Sequence, residues 1–176
     1  DGKLPFAENG VDLVLANVAR PELASPAALL ADLVRVTKAG GELRLATPLA
    51  GTWHEFLDVY SDVLVRLRRH ETAKALAAYR ASFSEPEALA TALEAAGLAQ
   101  VAVETIHWEL MFRTGREFFY APVIELGPLP RWKALAGKGA EMQDTFLAVK
   151  EAIDTYYGGG AFAVSVYAGM FSGRKP

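Results

Sequence analysis

Gly10 to Asn17 reads GVDLVLAN, and this stretch decides the fold class. It is short, rich in Val and Leu, and apolar on both alternating faces apart from Asp12. That is the pattern of a strand covered on both sides within a parallel sheet. Downstream, Ser25-Pro26 offers a helix N-cap followed by proline at the first helical position. Leu29, Leu30, Leu33, Val34 and Val36 then carry one helical face toward a Gly40-Gly41 stop. A second strand, ELRLATP, runs from about Glu42 to Thr47. Strand, helix, strand over this length is a right-handed βαβ crossover with parallel strands, so the chain reads as α/β.

Beyond the crossover, Thr52 and Glu55 have capping-box spacing. Trp53, Phe56, Leu57, Tyr60, Val63, Leu64 and Leu67 follow on one face of a long amphipathic helix. Arg66, Arg68, Arg69 and His70 fall at its end, where cations complement the helix dipole. Ser84 with Glu87 repeats the capping spacing before a helix over 86–96, and Gly97 supplies a left-handed residue after it. A strand is expected from about Val101 to Phe112, then a short helix opened by Thr114 and Glu117 and halted near Pro122. The stretch from Leu126 to Gly139 reads as a loop with one helical turn near Trp132. A last helix, Glu141 to Tyr157, ends in Gly158-Gly159-Gly160 before a closing strand from Ala161 to Phe171. The expected organisation is one partial domain over 1–176: a strand/helix/strand core over 1–50, a helical region over 51–100, and two further strands with intervening helices over 101–176.

At 176 residues, 52% apolar, with a net charge of −3, the composition is that of a folded globular chain. The mild acidity argues against a nucleic-acid groove, which needs concentrated positive charge. There is no cysteine, hence no disulfide framework, thiolate metal site or cysteine nucleophile, and a cytoplasmic location is compatible. No run is long and apolar enough to span a bilayer, so no membrane partner is expected. His54, His70 and His107 share no metal-ligand spacing, and no metal is expected.

Two further stretches carry a family resemblance. DGKLPFAENGVDLVLAN, at residues 1–17, resembles the segment of class I S-adenosylmethionine-dependent methyltransferases in which an acidic residue precedes Leu-Pro-Phe, a polar turn and the fourth strand. RVTKAGGELRLAT, at residues 35–47, is similar to the Arg-Val-Leu-Lys-Pro-Gly-Gly segment leading into the fifth strand of that family. The SFSEPEALATALEAAGL helix and the final FAVSVYAGMFSGRK strand fit the same family.

The resemblance implies a Rossmann-like methyltransferase sheet, here only its strands 4, 5, 7 and 6 with flanking helices, strand 7 being antiparallel. The family's first three strands have no counterpart, and no Gly-rich cofactor turn of the GxGxG kind occurs. The first residue, Asp1, stands inside a motif, so the chain reads as a C-terminal portion. S-adenosylmethionine is the implied cofactor, with one half of its site in this chain. The resemblance puts Asp1, Gly2, Lys3 and Leu4 beside the adenine and Asn17, Val18, Ala19 and Arg20 at the end of strand 4. The spacing Asp-Gly-Lys-Leu-Pro-Phe is one residue shorter than the family's commonest form, so Asp1 is equally an ordinary loop carboxylate.

Methyl transfer from a sulfonium needs alignment more than a base. No catalytic residue is therefore marked by a motif; His54, in the first turn after strand 5, is the one candidate for deprotonating an acceptor. Trp53 and Tyr120 are candidate walls of an apolar acceptor pocket, with Arg113 and Arg116 as a carboxylate or phosphate clamp. Tyr60, Trp108, Phe112, Phe118 and Phe119 join that set or belong to the core. TPLAGTWHEFL, at residues 47–57, is similar to the malonyl-acyl-carrier-protein methyltransferases of biotin synthesis, which makes a carrier-bound acid one acceptor beside free small molecules. Three organisations stay open. The chain is part of an intact methyltransferase, or a non-catalytic module pairing through an exposed strand 4 edge, or half of a split enzyme. The corresponding partners are a missing N-terminal half, a second copy, or another protein at that edge.

Overall fold

The computed structural model describes residues 3–19 and 27–176. Asp1, Gly2, Arg20, Ser25 and Pro26 lie outside the described residues. In chain order the elements are β1 (Val11–Asn17), α1 (Ala27–Val36), β2 (Thr37–Pro48), α2 (His54–Arg66), α3 (His70–Ala81), α4 (Pro86–Ala95), β3 (Ala99–Phe112), α5 (Gly115–Tyr120), α6 (Pro122–Glu125), α7 (Leu129–Leu135), α8 (Gly139–Tyr156) and β4 (Phe162–Arg174). The four strands form one sheet in the order β1-β2-β4-β3. β1 and β2 run parallel, with Leu13 opposite Glu42 and Asn17 opposite Ala46. β4 runs antiparallel to β2, from Glu42 opposite Arg174 to Pro48 opposite Ala168. This is the arrangement 4-5-7-6 expected from the sequence.

Several local expectations need correction. The helix before β2 stops at Val36, ahead of the Gly40-Gly41 pair, and β2 already starts at Thr37. The reason is pairing at that end: Gly40 N–H donates to Lys175 O, Lys175 N–H donates to Gly41 O, and Val11 faces Thr37. The glycines serve the strand, Gly40 at a φ of 76° and Gly41 where a Cβ would sit 2.9 Å from two carbonyl oxygens. Among the described residues, β1 is covered on one face. Val14 and Ala16 pack on the core, while Leu13 and Leu15 are exposed, Leu15 at 71%. Among the described residues β1 has β2 as its single sheet neighbour, so it is an edge strand.

At the first two expected capping boxes the cap position falls one residue later than the sequence suggests. α2 is preceded by Trp53 in the left-handed region at φ 65°, with no side-chain cap. The Thr52 hydroxyl instead donates to Tyr167 O at 2.7 Å and accepts from Tyr167 N–H at 3.0 Å. The Glu55 carboxylate accepts from both Ser165 N–H and the Ser165 hydroxyl. At α4 the cap position is Glu85, without a side-chain bond, and Pro86 opens the helix. The third box is present: Thr114 Oγ1 accepts from Glu117 N–H at 3.0 Å, and Glu117 reaches back to Arg113 N–H. His70 opens α3 rather than closing the preceding helix, and Arg69 is paired with Glu141.

The chain divides into two compact units. The first comprises Asp1–Thr52, Ser82–His107 and Tyr167–Pro176. Its core joins Leu30, Leu33 and Val34 of α1, Leu43 and Leu45 of β2, Leu89 and Leu93 of α4, Leu98, and Phe171 of β4. The second comprises Trp53–Ala81 and Trp108–Val166. It is built on buried aromatics: Phe56 stacks on Trp132 at 4.1 Å between ring centres and lies 5.0 Å from Phe118, which meets Phe162 edge-on. Such rings bury large apolar areas and gain further from offset and edge-on contact. The segment expected as a loop near Trp132 is the helix α7, because Trp132 is fully buried and anchors it.

Candidate functional site

The proposed cofactor residues that are described all belong to the first unit. Asn17 closes β1, and Val18 N–H donates to Ala46 O at 2.9 Å, extending the parallel ladder one residue past the strand. Ala19 follows at the C-terminal end of a parallel strand, the place where open α/β sheets receive ligands. Lys3 and Leu4 precede β1 in irregular chain. Leu4 packs against the core and its main chain is tied to α1: Leu4 N–H donates to Asp32 Oδ2 at 2.5 Å, and Leu4 O accepts from Arg35 at 3.2 Å. Arg35 also donates to Phe6 O at 2.9 Å and to Asp32 Oδ1 at 2.6 Å. The bond from Arg35, then that from the Leu4 amide, hold the Asp32 carboxyl below the ordinary carboxylate range. Sequence reading missed this pair, although an Asp and an Arg three apart on one helix are a visible signal.

The candidate acceptor residues lie in the second unit. Trp53 is buried and meets Trp132 edge-on at 6.0 Å. His54 Nε2 is 3.3 Å from Glu55 Oε1, on a carboxylate already engaged by Ser165. Arg116 sits over the ring of Tyr120 at 5.8 Å, a cation–π contact, and Tyr120 is 68% exposed. Arg113 contributes its main-chain N–H to the α5 cap. The structure thus joins Arg116 to Tyr120 and His54 to Glu55. Tyr60, Phe112 and Phe118 are buried core residues, whereas Trp108 is exposed. Among the described residues, no group of three or more His, Asp or Glu could hold a metal ion.

Two further features were invisible in the sequence. In the first unit, a cleft of about 370 Å³ is lined by Leu49, Ala50, Glu85, Thr105, His107 and Tyr167 among others. The imidazole of His107 stacks on Tyr167 at 4.3 Å with ring planes 12° apart. Tyr167 also lies on Gly51, where φ is 90° and an added Cβ would sit 3.1 Å from the ring, so a side chain there would be strained. In the second unit, burial pushes the Tyr60 phenol upward, and its hydroxyl donates to Trp132 O at 3.2 Å.

The strand order, the antiparallel β4 and the parallel β1–β2 pair are those of strands 4, 5, 7 and 6 in the Rossmann-like fold of class I S-adenosylmethionine-dependent methyltransferases. Comparison with solved structures agrees. A Bacillus halodurans protein described as a methyltransferase matches over 99% of this chain and 74% of its own, with a TM-score of 0.50 and 17% identity. The YcgJ protein of Bacillus subtilis matches over 98% of this chain and 67% of its own, with a TM-score of 0.50 and 20% identity. No family model matches the sequence. A demethylmenaquinone methyltransferase of Renibacterium salmoninarum is 38% identical over 63 residues, 36% of this chain and 27% of that relative. The match therefore spans about a quarter of the relative's length. No described helix is long and apolar enough to cross a membrane.

Proposed function

We propose that this chain is part of an S-adenosylmethionine-dependent methyltransferase acting on a small molecule or a carrier-bound acid. The observation that carries the reading is the ordered end of β1. There Asn17, Val18 and Ala19 emerge beside β2, and the main chain of Leu4 is fixed on α1 in the same unit. These residues supply the adenine side of a cofactor site, with Lys3 beside Leu4. The residues that would hold the methionine and ribose portions have no counterpart in the sequence, so the chain supplies half of the site. Asp1, Gly2 and Arg20 complete the half-site by resemblance.

A sulfonium donor brings its own activation when bound, which leaves alignment of the acceptor to the protein. Arg113 and Arg116 would clamp an acidic acceptor, with Trp53 and Tyr120 as its apolar walls. His54 would take a proton where the acceptor needs to lose one. The outer edge of β1, an edge strand among the described residues with Leu13 and Leu15 exposed, would accept a further strand from another segment or protein. A cysteine-free chain is compatible with a reducing cytoplasm.

Amide shift mapping tests the reading. S-adenosylhomocysteine at millimolar concentration is expected to move the resonances of Lys3, Leu4, Asn17, Val18 and Ala19. Shifts confined to other positions, or none at saturating ligand, would refute it.

A further inference from the structure

Residues 3–6 belong to no helix or strand, and Lys3, Pro5 and Phe6 are exposed. Nothing in their own sequence fixes them, apart from the single ring of Pro5. Their order comes from outside, through the packing of Leu4 on the core and two side chains of α1. Asp32 is only 6% exposed and receives Leu4 N–H on one oxygen and Arg35 Nε on the other. The guanidinium of Arg35 spreads its remaining nitrogens over Leu4 O and Phe6 O. Leu4 is thereby held at both of its main-chain groups, and the chain is held again two residues later. A planar fork with donors at fixed angles can do this; an ammonium group cannot.

We propose that Asp32 and Arg35 are positioning residues for the cofactor: together they hold the main chain of Leu4 to Phe6 in the form that receives the adenine. The proposal rests on the reading of the preceding subsection. Neither side chain touches the ligand in this account. Their effect passes through Leu4. The turn at Asn9 and Gly10 is held separately, by main-chain bonds to Arg35 O and Val36 O. Replacing the Arg35 side chain therefore releases Leu4 O and Phe6 O while leaving the entry to β1 intact.

The test compares the wild-type chain with Arg35→Lys, Arg35→Met and Asp32→Asn. Arg44→Lys, at an exposed pair with Glu42, serves as the control. Hydrogen exchange reads the Leu4 amide, and S-adenosylhomocysteine shift mapping reads Leu4, Val18 and Ala19. Strand resonances of β2 and β4 verify folding in each variant. In both Arg35 variants the Leu4 amide is expected to exchange about tenfold faster or more, as loss of charge-assisted bonds at a surface segment implies. The ligand-induced shift at Leu4 is expected to vanish while those at Val18 and Ala19 persist, a split that general destabilisation would not produce. Arg44→Lys should match the wild type. Ligand shifts at Leu4 that survive in both Arg35 variants would overturn the positioning role alone. Absence of ligand shifts in the wild type would overturn the cofactor reading and the positioning role together.

Discussion

Thr52→Val separates two accounts of the same residue. As an N-cap, Thr52 would contribute about 1 kcal/mol, and an aspartate there would serve as well. In the structure its hydroxyl instead bridges both main-chain groups of Tyr167. Valine has nearly the same shape and no hydroxyl, so the substitution leaves packing almost unchanged. The two Tyr167 groups are affected unequally. Its carbonyl still accepts from Leu49 N–H at 2.9 Å, so it loses one of two partners. Its N–H loses the partner seen here, in partly buried surroundings. An orphaned donor costs about 1–3 kcal/mol and a typical net bond about 1 kcal/mol, so Thr52→Val should destabilise by about 2–3 kcal/mol. Thr52→Ser keeps the hydroxyl and should lose under about 1 kcal/mol, from the buried methyl. Thr52→Asp should be at least as harmful as valine, because an ionised carboxylate cannot donate to Tyr167 O. Urea unfolding followed by far-ultraviolet circular dichroism gives all three values. Thr52→Val within about 0.5 kcal/mol of wild type, or a neutral Thr52→Asp, would refute the bridge and restore the cap.

Three further outcomes follow from the same structure. Phe56→Ala, which empties the centre of the ring cluster against Trp132 and Phe118, should destabilise by about 3–5 kcal/mol in chemical denaturation. Asp32 and Asp154 are held below the ordinary carboxylate range, Asp32 chiefly by Arg35 and Asp154 chiefly by Lys150. They therefore bind protons less readily folded than unfolded. Their contribution is present at neutral pH and is lost as pH falls below about 4 through their folded values. Denaturation midpoints measured across that range should show a shallower acid loss in Asp32→Asn and Asp154→Asn than in wild type. Leu15→Lys, on the exposed face of the edge strand β1, should leave the thermal midpoint nearly unchanged but weaken any self-association seen in sedimentation velocity.

The backbone topology was legible because its signals are redundant. GVDLVLAN, the α1 apolar face and ELRLATP each specify one element, and the crossover rule fixes their relation. Gly97 was legible for the same reason: it follows a helix and takes a φ of 106°. Side-chain partnerships were not. Thr52 and Glu55 have the spacing of a capping box, yet each finds a partner on β4, more than a hundred residues away, where Tyr167 and Ser165 offer main-chain groups. A local pattern cannot announce a competitor so distant in sequence. Likewise the aromatic residues proposed for an acceptor pocket split by burial, Phe118 inward and Tyr120 outward, although they stand two positions apart on the same short helix. The proposed half-site has no signal in the sequence beyond the resemblance. Its support, Asp32 and Arg35, was present in the sequence as an ion pair of helical spacing, but its target at Leu4 lies 28 residues upstream of Asp32.

Titration calorimetry of the chain with S-adenosylmethionine, adenosine and methionine bears most directly on the central claim. If the chain supplies the adenine side alone, adenosine should bind about as weakly as S-adenosylmethionine, in the millimolar range, and methionine should give no heat of binding. Micromolar affinity for S-adenosylmethionine, or binding that depends on the methionine portion, would contradict the half-site.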